Sequence, residues 1–305
     1  MAEMRGVADL NKIYAWIETS KRDTHKLLME VDDISDKMFK TGNLNSFFLL
    51  LSRFSYFDYK NILLLSKQYP LATNLAPHNK WKDLNPSNKS IIKEEHQGKG
   101  ILLLAPHTDN SGDEPVLIWL TVKMYDITQI NVKENKFIKS PYIEKKKVHT
   151  DYLLKSFMAF IYNELDIDFS FTLTEMHKQT GIPCYPKGKT IYVNPNANEL
   201  EQLSYMIEFT IRKNIKIELS KRMLEYLASS VRDCLFEMWN LPKQISIAPP
   251  YEEISEMSLD KQKEFLKHAQ QWTRAIEDMV LFEYLKLKNN SDEVEETDYL
   301  DDLFN

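Results

Sequence analysis

Glycine is scarce in this chain, and its scarcity excludes several nucleotide-binding motifs. Only 7 of the 305 residues are glycine, and no G-x-G-x-x-G stretch occurs. The triplet Gly188-Lys189-Thr190 lacks the Walker spacing, because six residues separate it from Gly181 and because Pro183 has no backbone donor. The expected role of this triplet is a hairpin turn.

Cysteine and long apolar runs are equally rare. The two cysteines, Cys184 and Cys234, cannot form a disulfide framework or a cysteine-based zinc module, so we expect both to be small core residues. No uncharged apolar run reaches the roughly 18 residues of a membrane span, and the start MAEMRGVADLNK lacks the apolar core of a signal peptide. The sequence therefore predicts a cytoplasmic protein without a membrane segment or a cofactor.

Length and composition predict a folded protein with two domains. Hydrophobic residues make up 43% and charged residues 28% of the chain, which is ordinary globular usage. A lysine-rich stretch around Pro141 has no clear periodicity and marks the boundary. We predict a first domain over 1–135, a linker over 136–150, a second domain over 151–290 and a disordered acidic tail over 291–305.

Hydrophobic periodicity predicts an α+β fold, with a small mixed α/β domain followed by a mainly helical domain with a short β-hairpin. Strand patterns cover residues 100–105 and 116–124, and residues 184–185 and 190–193 read as a hairpin joined by Gly188 and its neighbours. Helices are predicted over 8–38, 44–69, 151–165, 170–180, 197–214, 218–239 and 260–288.

Charge is distributed unevenly along the chain. Residues 51–150 carry 15 basic and 10 acidic side chains, a net charge of +5, whereas residues 251–305 carry 6 basic and 15 acidic ones, a net charge of −9. The basic region is the better candidate for meeting a polyanion. The run Lys145-Lys146-Lys147 is either a solvated linker or an extension of that basic track.

The acidic tail has three open interpretations. Between Asp292 and Asp302 it carries seven acidic residues and no basic one, so it repels itself and is expected to be disordered. It could serve only for solubility. It could also compete with nucleic acid for a basic groove, or dock a protein partner through its apolar residues Tyr299, Leu300, Leu303 and Phe304.

Aromatic and cationic residues interleave between positions 53 and 82, a pattern typical of single-strand binding. Such proteins stack bases on rings and hold phosphates with cations. Phe47 and Leu51 recur at helical spacing and should face the core, whereas other faces of the same helix are better placed for contact. The predicted nucleic-acid-binding residues are Arg53, Tyr56, Lys60, Asn61, Lys67, Gln68, Lys80, Trp81, Lys82 and Lys99.

Some of these residues have a structural alternative. Asn61 and Gln68 lie two helical turns apart and could bond either backbone or base edges. For Trp81, base stacking and core packing are equally open. The glycines on either side of Lys99 favour a turn or bulge over a phosphate contact. Asp126 and Gln129 follow a strand, where capping is the expected role.

An ordered pattern resembles a known family. It runs Tyr56-x-x-x-x-Asn61, Gln68-x-Pro70-x-Ala72-Thr73, Trp81, Gly98-Lys99-Gly100-Ile101 to Pro106, and Tyr125-Asp126-Ile127-x-Gln129. This resembles the N-terminal single-stranded-DNA-binding domain of ArdC-type antirestriction proteins and LtrC-like proteins of plasmids and conjugative elements. The resemblance covers about the first 130 residues and implies a small α/β domain with a helix against a curved sheet.

In that family the second half resembles a zinc metallopeptidase with an H-E-x-x-H helix, a motif that this chain lacks. If Glu208 takes the place of the catalytic glutamate, Ile207 and Ile211 stand where the histidines would be, and Glu225 matches a later carboxylate. The resemblance then implies a metal-free relic of a zincin-like domain. Alternatively, both glutamates are ordinary helix-surface residues.

The sequence thus predicts a non-catalytic single-stranded-DNA-binding protein of a mobile element or phage, with a possible protein partner at the second domain or the tail. Two rivals remain at this level. One is a metallopeptidase of the ArdC and LtrC type with unrecognised ligands. The other is an inhibitor of host defence whose acidic surface imitates DNA. The oligomeric state is not predicted.

Overall fold

The computed structural model describes residues 23–84, 91–109, 116–131, 150–242 and 247–291. The chain divides into two compact units, Met1–Ile143 and Glu144–Asn305. Each unit contains helices and one small three-stranded sheet, so the architecture is α+β, as predicted. None of the helices in the described ranges combines the length and the apolar character of a membrane-spanning segment.

The first unit is built on an antiparallel sheet in the order β1-β3-β2. The predicted strands β2 and β3 are present but longer than expected, and β1 was not predicted. Short 3-10 helices cover Glu94–His96 and Ile127–Gln129. The elements are α1 (23–41), α2 (Asn45–Leu51), α3 (Tyr59–Gln68), β1 (Leu75–Pro77), α4 (His78–Leu84), β2 (Ile101–Asp109) and β3 (Val116–Asp126).

The single helix predicted over 44–69 is wrong, because the chain breaks between α2 and α3. Asp58 has extended backbone geometry, and its carboxylate accepts a hydrogen bond from the N–H of Lys60 at 3.0 Å, so α3 begins at a capping residue. Arg53 and Tyr56 therefore lie in the connection between two helices and not on a helical face. Phe47 and Leu51 are fully buried, as predicted.

Two side-chain amides of α3 bind the free edge of β2. Asn61 donates to the carbonyl of Leu104 and accepts from its N–H, both at 2.8 Å. Gln68 forms the same pair of bonds with Leu102, both at 2.9 Å. Residues two apart on a strand point their backbone groups to the same side. This amide clamp, formed by Asn61 and Gln68, therefore fixes α3 along the strand.

Replacing Asn61 with alanine should lower the free energy of unfolding by about 1–3 kcal/mol, because the N–H and C=O of Leu104 would lose their partners in a buried setting. Chemical denaturation followed by circular dichroism measures the effect. Asn79→Ala, at an exposed position of α4, is the matched control and should change stability by less than about 0.5 kcal/mol. Equal losses in the two variants would contradict the clamp.

Asp126, the last residue of β3, binds the backbone of the segments around it. Its carboxylate accepts hydrogen bonds from the N–H groups of Thr73 at 2.7 Å, Asn74 at 2.9 Å and Thr128 at 3.0 Å. The side-chain carbonyl of Gln129 accepts a hydrogen bond from the N–H of Asp126, which completes a capping box. The predicted capping role of Asp126 and Gln129 is confirmed.

The second unit combines helices with a sheet in the order β4-β6-β5, in which β4 is parallel and β5 antiparallel to β6. The predicted hairpin is confirmed, with Gly188 at φ +65° in its turn. The elements are α5 (Thr150–Leu165), β4 (Asp168–Ser170), α6 (Glu175–Thr180), β5 (Cys184–Lys187), β6 (Thr190–Val193), α7 (Glu199–Asn214), α8 (Lys221–Met238), α9 (Tyr251–Ser255) and α10 (Leu259–Ser291).

In the second unit, the start of α6 differs from the sequence prediction, whereas the environment of the two cysteines agrees with it. The helix predicted over 170–180 begins only at Glu175, because Thr174 caps it and residues Asp168–Ser170 form a strand. Cys184 and Cys234 are both buried and lie outside any disulfide, as predicted. Burial raises the pKa of Cys184 to about 12, so this thiol stays protonated and unreactive at neutral pH.

Candidate functional site

Three of the predicted DNA-binding residues belong to the framework of the first unit. Trp81 is 1% exposed, and its indole N–H donates to the carbonyl of Tyr125 at 2.9 Å. Asn61 is 7% exposed, and Gln68 is half-buried. The amide groups of both are used on the backbone of β2. Base stacking on Trp81 and base-edge contacts from Asn61 and Gln68 are therefore corrected to structural roles.

Two predicted cations are engaged by other parts of the first unit. Arg53 donates to the carbonyl of Ala72 at 3.0 Å and so fixes the connection after α2. Lys67 forms an ion pair with Glu30 of α1 at 2.7 Å, and the lysine side chain remains 56% exposed. Surface pairs of this kind contribute little to stability. Lys67 is thus available to solvent with part of its charge offset.

Lys60 is the predicted residue that the structure brings next to aromatic rings. Its Nζ atom lies 4.8 Å from the ring centroid of Tyr59 and 5.0 Å from that of Trp119. The same ammonium group is 3.2 Å from Asp58. We name Tyr59, Lys60 and Trp119 the ring–cation corner. It joins the start of α3 to the middle of the β2–β3 hairpin.

The members of the corner differ in accessibility. Tyr59 is buried, and burial, assisted by the carboxylates of Asp58 and Asp32, raises its pKa to about 12. It therefore stays a neutral ring beneath the ammonium group. The Lys60 side chain is 23% exposed and Trp119 is half-buried, so part of each remains open to a ligand.

Sequence reasoning missed Trp119. Its signal was the alternation within β3, where Trp119 pairs with Pro106 of β2 in the part of the hairpin that is largely exposed. The Trp119 ring itself could have been recognised, but its contact with Lys60 depends on how α3 packs beside the hairpin.

The remaining predicted residues lie on the surface of the first unit. Tyr56 is 41% exposed, and Lys80, Lys82 and Lys99 are exposed. The described contacts do not join these three lysines to the ring–cation corner. Lys145-Lys146-Lys147 and the acidic tail lie outside the described residues.

The glycines beside Lys99 have structural explanations. Gly98 has φ +76°, a conformation that favours glycine. At Gly100, a Cβ atom would lie 2.3 Å from Cγ of Lys123, so the stem of that lysine occupies the space. The structural role that the sequence favoured for both glycines agrees with this geometry.

In the second unit, the positions that the resemblance matched to a zinc motif hold two isoleucines and two glutamates. Ile207 and Ile211 are fully buried apolar residues of α7. Glu208 contacts the guanidinium of Arg232 on α8 in a short ion pair. We name Glu208, Arg232 and the neighbouring Ser204 and Asp233 the buried charge cluster.

Arg232 is the centre of this cluster. Its side chain is 4% exposed, and it also reaches the Ser204 hydroxyl at 3.3 Å and the Asp233 carboxylate at 2.7 Å. Glu225 lies 4.0 Å from Lys221 at the helix surface, and the described contacts do not join it to Glu208. Glu225 is thus an ordinary helix-surface glutamate, one of the two readings open from sequence.

The residues at these positions do not fit the zinc that the family resemblance implies. Zinc sites use histidine, cysteine or carboxylate ligands, and isoleucine offers none. Within the described ranges, no three such side chains lie close enough together to hold a metal.

Burial dominates the ionisation of Glu208. Desolvation raises its pKa above the ordinary 4.5, and Arg232 and Arg212 oppose this without cancelling it. A raised carboxyl pKa means that the folded state binds more protons than the unfolded state, so its contribution to stability is present below pH 4.5 and is lost as pH rises through the folded pKa.

We therefore expect the stability of the native chain relative to Glu208→Gln to fall as pH rises from about 4.5 toward neutrality. Urea denaturation of both proteins at several pH values gives this difference. A difference that grows with pH would mean that Arg232 outweighs desolvation. Glu201→Gln, an exposed position on the same helix, should show no such dependence.

His177 is the buried histidine of the second unit. It is 2% exposed, its Nδ1 accepts from the N–H of Thr174 at 3.3 Å, and its ring contacts Tyr185 edge-on at 5.0 Å between centroids. Its Nε2 has no hydrogen-bond partner among the described residues. The imidazole thus belongs to the capping box of α6.

The first unit therefore offers a solvent-accessible pairing of an ammonium group with aromatic rings, and the second offers a closed polar cluster. Comparison of the whole chain with protein-family models, with curated proteins and with solved structures found no match.

Proposed function

We propose that the first unit binds single-stranded DNA without sequence preference, by occupancy and without chemistry on the strand. The ring–cation corner carries the proposal. There Lys60 lies about 5 Å from two aromatic rings, and Lys60 and Trp119 are both half-buried, so part of each side chain remains accessible.

Single strands are recognised by this combination of groups. The accessible part of the Trp119 indole offers a surface on which an unpaired base stacks, worth about 1–3 kcal/mol per base. Lys60 supplies the charge for the adjacent phosphate. Replacing Asp58 with a phosphate as the ion-pair partner of Lys60 costs little free energy, because partly exposed ion pairs are weak.

The fold supports the corner mechanically. The amide clamp holds α3 against β2, so the N-terminal turn of α3, with Lys60, has a fixed position beside the hairpin. We assign the nucleic-acid contacts to Tyr56, Lys60 and Trp119, with Lys80, Lys82 and Lys99 as phosphate contacts along the strand.

The biological role follows from the resemblance to ArdC-type and LtrC-like proteins. A protein that covers exposed strands would protect or handle DNA of a mobile element or phage during transfer, or counter host defence. The second unit, whose relic positions cannot hold zinc, would serve as a packing scaffold or as a docking surface for a protein partner.

A titration tests the proposal. Fluorescence anisotropy should show tighter binding to a single strand than to duplex DNA of the same length. The logarithm of the affinity should fall with the logarithm of salt concentration, by about 0.7 for each phosphate contacted. RNA of the same sequence is the third ligand. An affinity that does not change with salt, or a preference for duplex, would overturn the proposal.

A further inference from the structure

The β2–β3 hairpin emerges from the packed part of the first unit beside the ring–cation corner. Leu120 of β3 is 3% exposed, but exposure rises toward the first residue of the strand, and Val116 is 57% exposed. Alternate residues of a strand point to opposite faces. At residues 106–108 and 116–117, the side chains of both faces are exposed. We name these two ranges the hairpin wedge.

The hairpin wedge is largely apolar and contains no lysine, arginine, aspartate or glutamate. Val116 and Leu117 are 57% and 65% exposed, and Pro106 is exposed on the neighbouring strand. Adjacent apolar side chains in water lack the stabilisation that burial would give them. A contiguous apolar surface on a folded protein is typical of a binding site. A two-stranded ribbon is also only marginally stable by itself, so a ligand that covers both faces would stabilise it.

The two faces of the hairpin wedge have different neighbours. On one face, Leu117 and Pro106 continue the surface of Trp119, because residues two apart on a strand point the same way and Pro106 lies directly opposite Trp119. On the other face, the exposed Val116 is followed by the half-buried Ile118. The first face therefore adjoins the ring–cation corner, and the second lies on the opposite side of the same ribbon.

Apolar side chains beside a strand-binding site suit base faces better than phosphates. Phosphates are held by cations, which the hairpin wedge lacks. Leucine and proline are among the side chains that proteins insert between base steps. Insertion within a duplex costs the stacking energy of the step that is opened, whereas the last base pair beside an unpaired strand already has one free face. The end of a duplex is therefore the place where such insertion costs least.

We propose that the hairpin wedge binds the junction at which a DNA duplex opens into a single strand. The unpaired strand passes over the face with Trp119 and Leu117, and Lys60 holds its phosphate. The last base pair of the duplex stacks on the face with Val116 and Ile118. A bare single strand covers one face of the wedge, whereas a junction covers both. This inference rests on the proposed function and names the form of DNA that the ring–cation corner meets.

The length of the hairpin wedge is sufficient for this role. Val116 is three residues before Trp119 in β3, so the wedge extends about 10 Å beyond Trp119 along the strand. Successive bases of a stacked strand are about 3.4 Å apart. The face that carries Leu117 can therefore contact about two or three bases next to the one held at the ring–cation corner.

Fluorescence anisotropy of the full chain with four DNA ligands tests the proposal. The ligands are a short single strand, a blunt duplex, and the same duplex that carries the single strand as a tail on its 5′ end or its 3′ end. One of the tailed duplexes should bind roughly tenfold more tightly than the free single strand, because the last base pair adds a stacking contact. The blunt duplex should bind more weakly than the single strand.

Two serine variants separate the faces of the hairpin wedge without changing charge. Val116→Ser should reduce the preference for the tailed duplex to about twofold or less and leave the single-strand affinity near the native value. Leu117→Ser should weaken the binding of both ligands by roughly fivefold. Leu71→Ser, at a turn position that is 73% exposed, is the matched control and should change neither affinity. Circular dichroism checks that all three variants fold.

The outcomes separate this inference from the proposed function. A single strand bound with the expected salt dependence, together with tailed duplexes bound no more tightly, would overturn the junction and leave the strand site standing. A preference for the tailed duplex that persists in Val116→Ser would also overturn it, since added phosphates and not the wedge would then supply the affinity. Absence of single-strand binding by the native chain would overturn both proposals.

Discussion

Replacing Trp81 with alanine should lower the free energy of unfolding of the first unit by about 3–5 kcal/mol. Trp81 is the largest member of a buried cluster with Ile91, Tyr125 and Ile130. Truncation leaves a cavity there and removes the hydrogen bond from the indole N–H to the carbonyl of Tyr125.

Chemical denaturation followed by circular dichroism measures this effect. Trp81→Phe should cost less, because most of the ring volume remains. Asn79→Ala, at an exposed position of the same helix, is the control and should change stability by less than about 0.5 kcal/mol. A Trp81→Ala variant with native stability but lost DNA binding would restore the stacking role that the sequence left open.

Replacing Arg232 with methionine should destabilise the second unit by about 3–5 kcal/mol. Arg232 is 4% exposed and is the cation shared by Glu208 and Asp233. Methionine keeps much of the volume but leaves the Glu208 carboxylate poorly solvated and without its guanidinium. The free energy lost by leaving the Glu208 charge buried and unpaired exceeds the free energy lost through the change in packing.

A second substitution separates charge from packing. Combining Arg232→Met with Glu208→Leu should recover much of the lost stability, because apolar replacements of buried ion pairs are often neutral or stabilising. Arg222→Met, at an exposed position of the same helix, is the control and should have little effect. A loss below about 1 kcal/mol for Arg232→Met alone would show that the cluster is not a structural centre.

Local patterns predicted the elements whose signals are contiguous in sequence. The hairpin around Gly188, the long helices of the second unit and the cap formed by Asp126 and Gln129 each depend on residues close together along the chain. The break between α2 and α3 was also readable, since Asp58 is a favourable N-cap. The apolar periodicity across it outweighed that signal.

Contacts between distant residues could not be read from the sequence. Asn61 meets Leu104 across 43 positions, and Glu208 meets Arg232 across 24. A side-chain amide that bonds a strand edge has the same local pattern as one that contacts a base. The structural role of Asn61 and Gln68 therefore appeared only with the sheet, as did the proximity of Trp119 to Lys60.

The central claim is that the ring–cation corner holds an unpaired strand, and affinity measurements on two corner variants test it most directly. Trp119→Ala should weaken single-strand binding by about 1–3 kcal/mol, with Trp119→Phe closer to the native chain. Lys60→Ala should weaken binding and reduce the salt slope by about 0.7. Folded Trp119→Ala and Lys60→Ala variants that bind a single strand as tightly as the native chain would contradict the account.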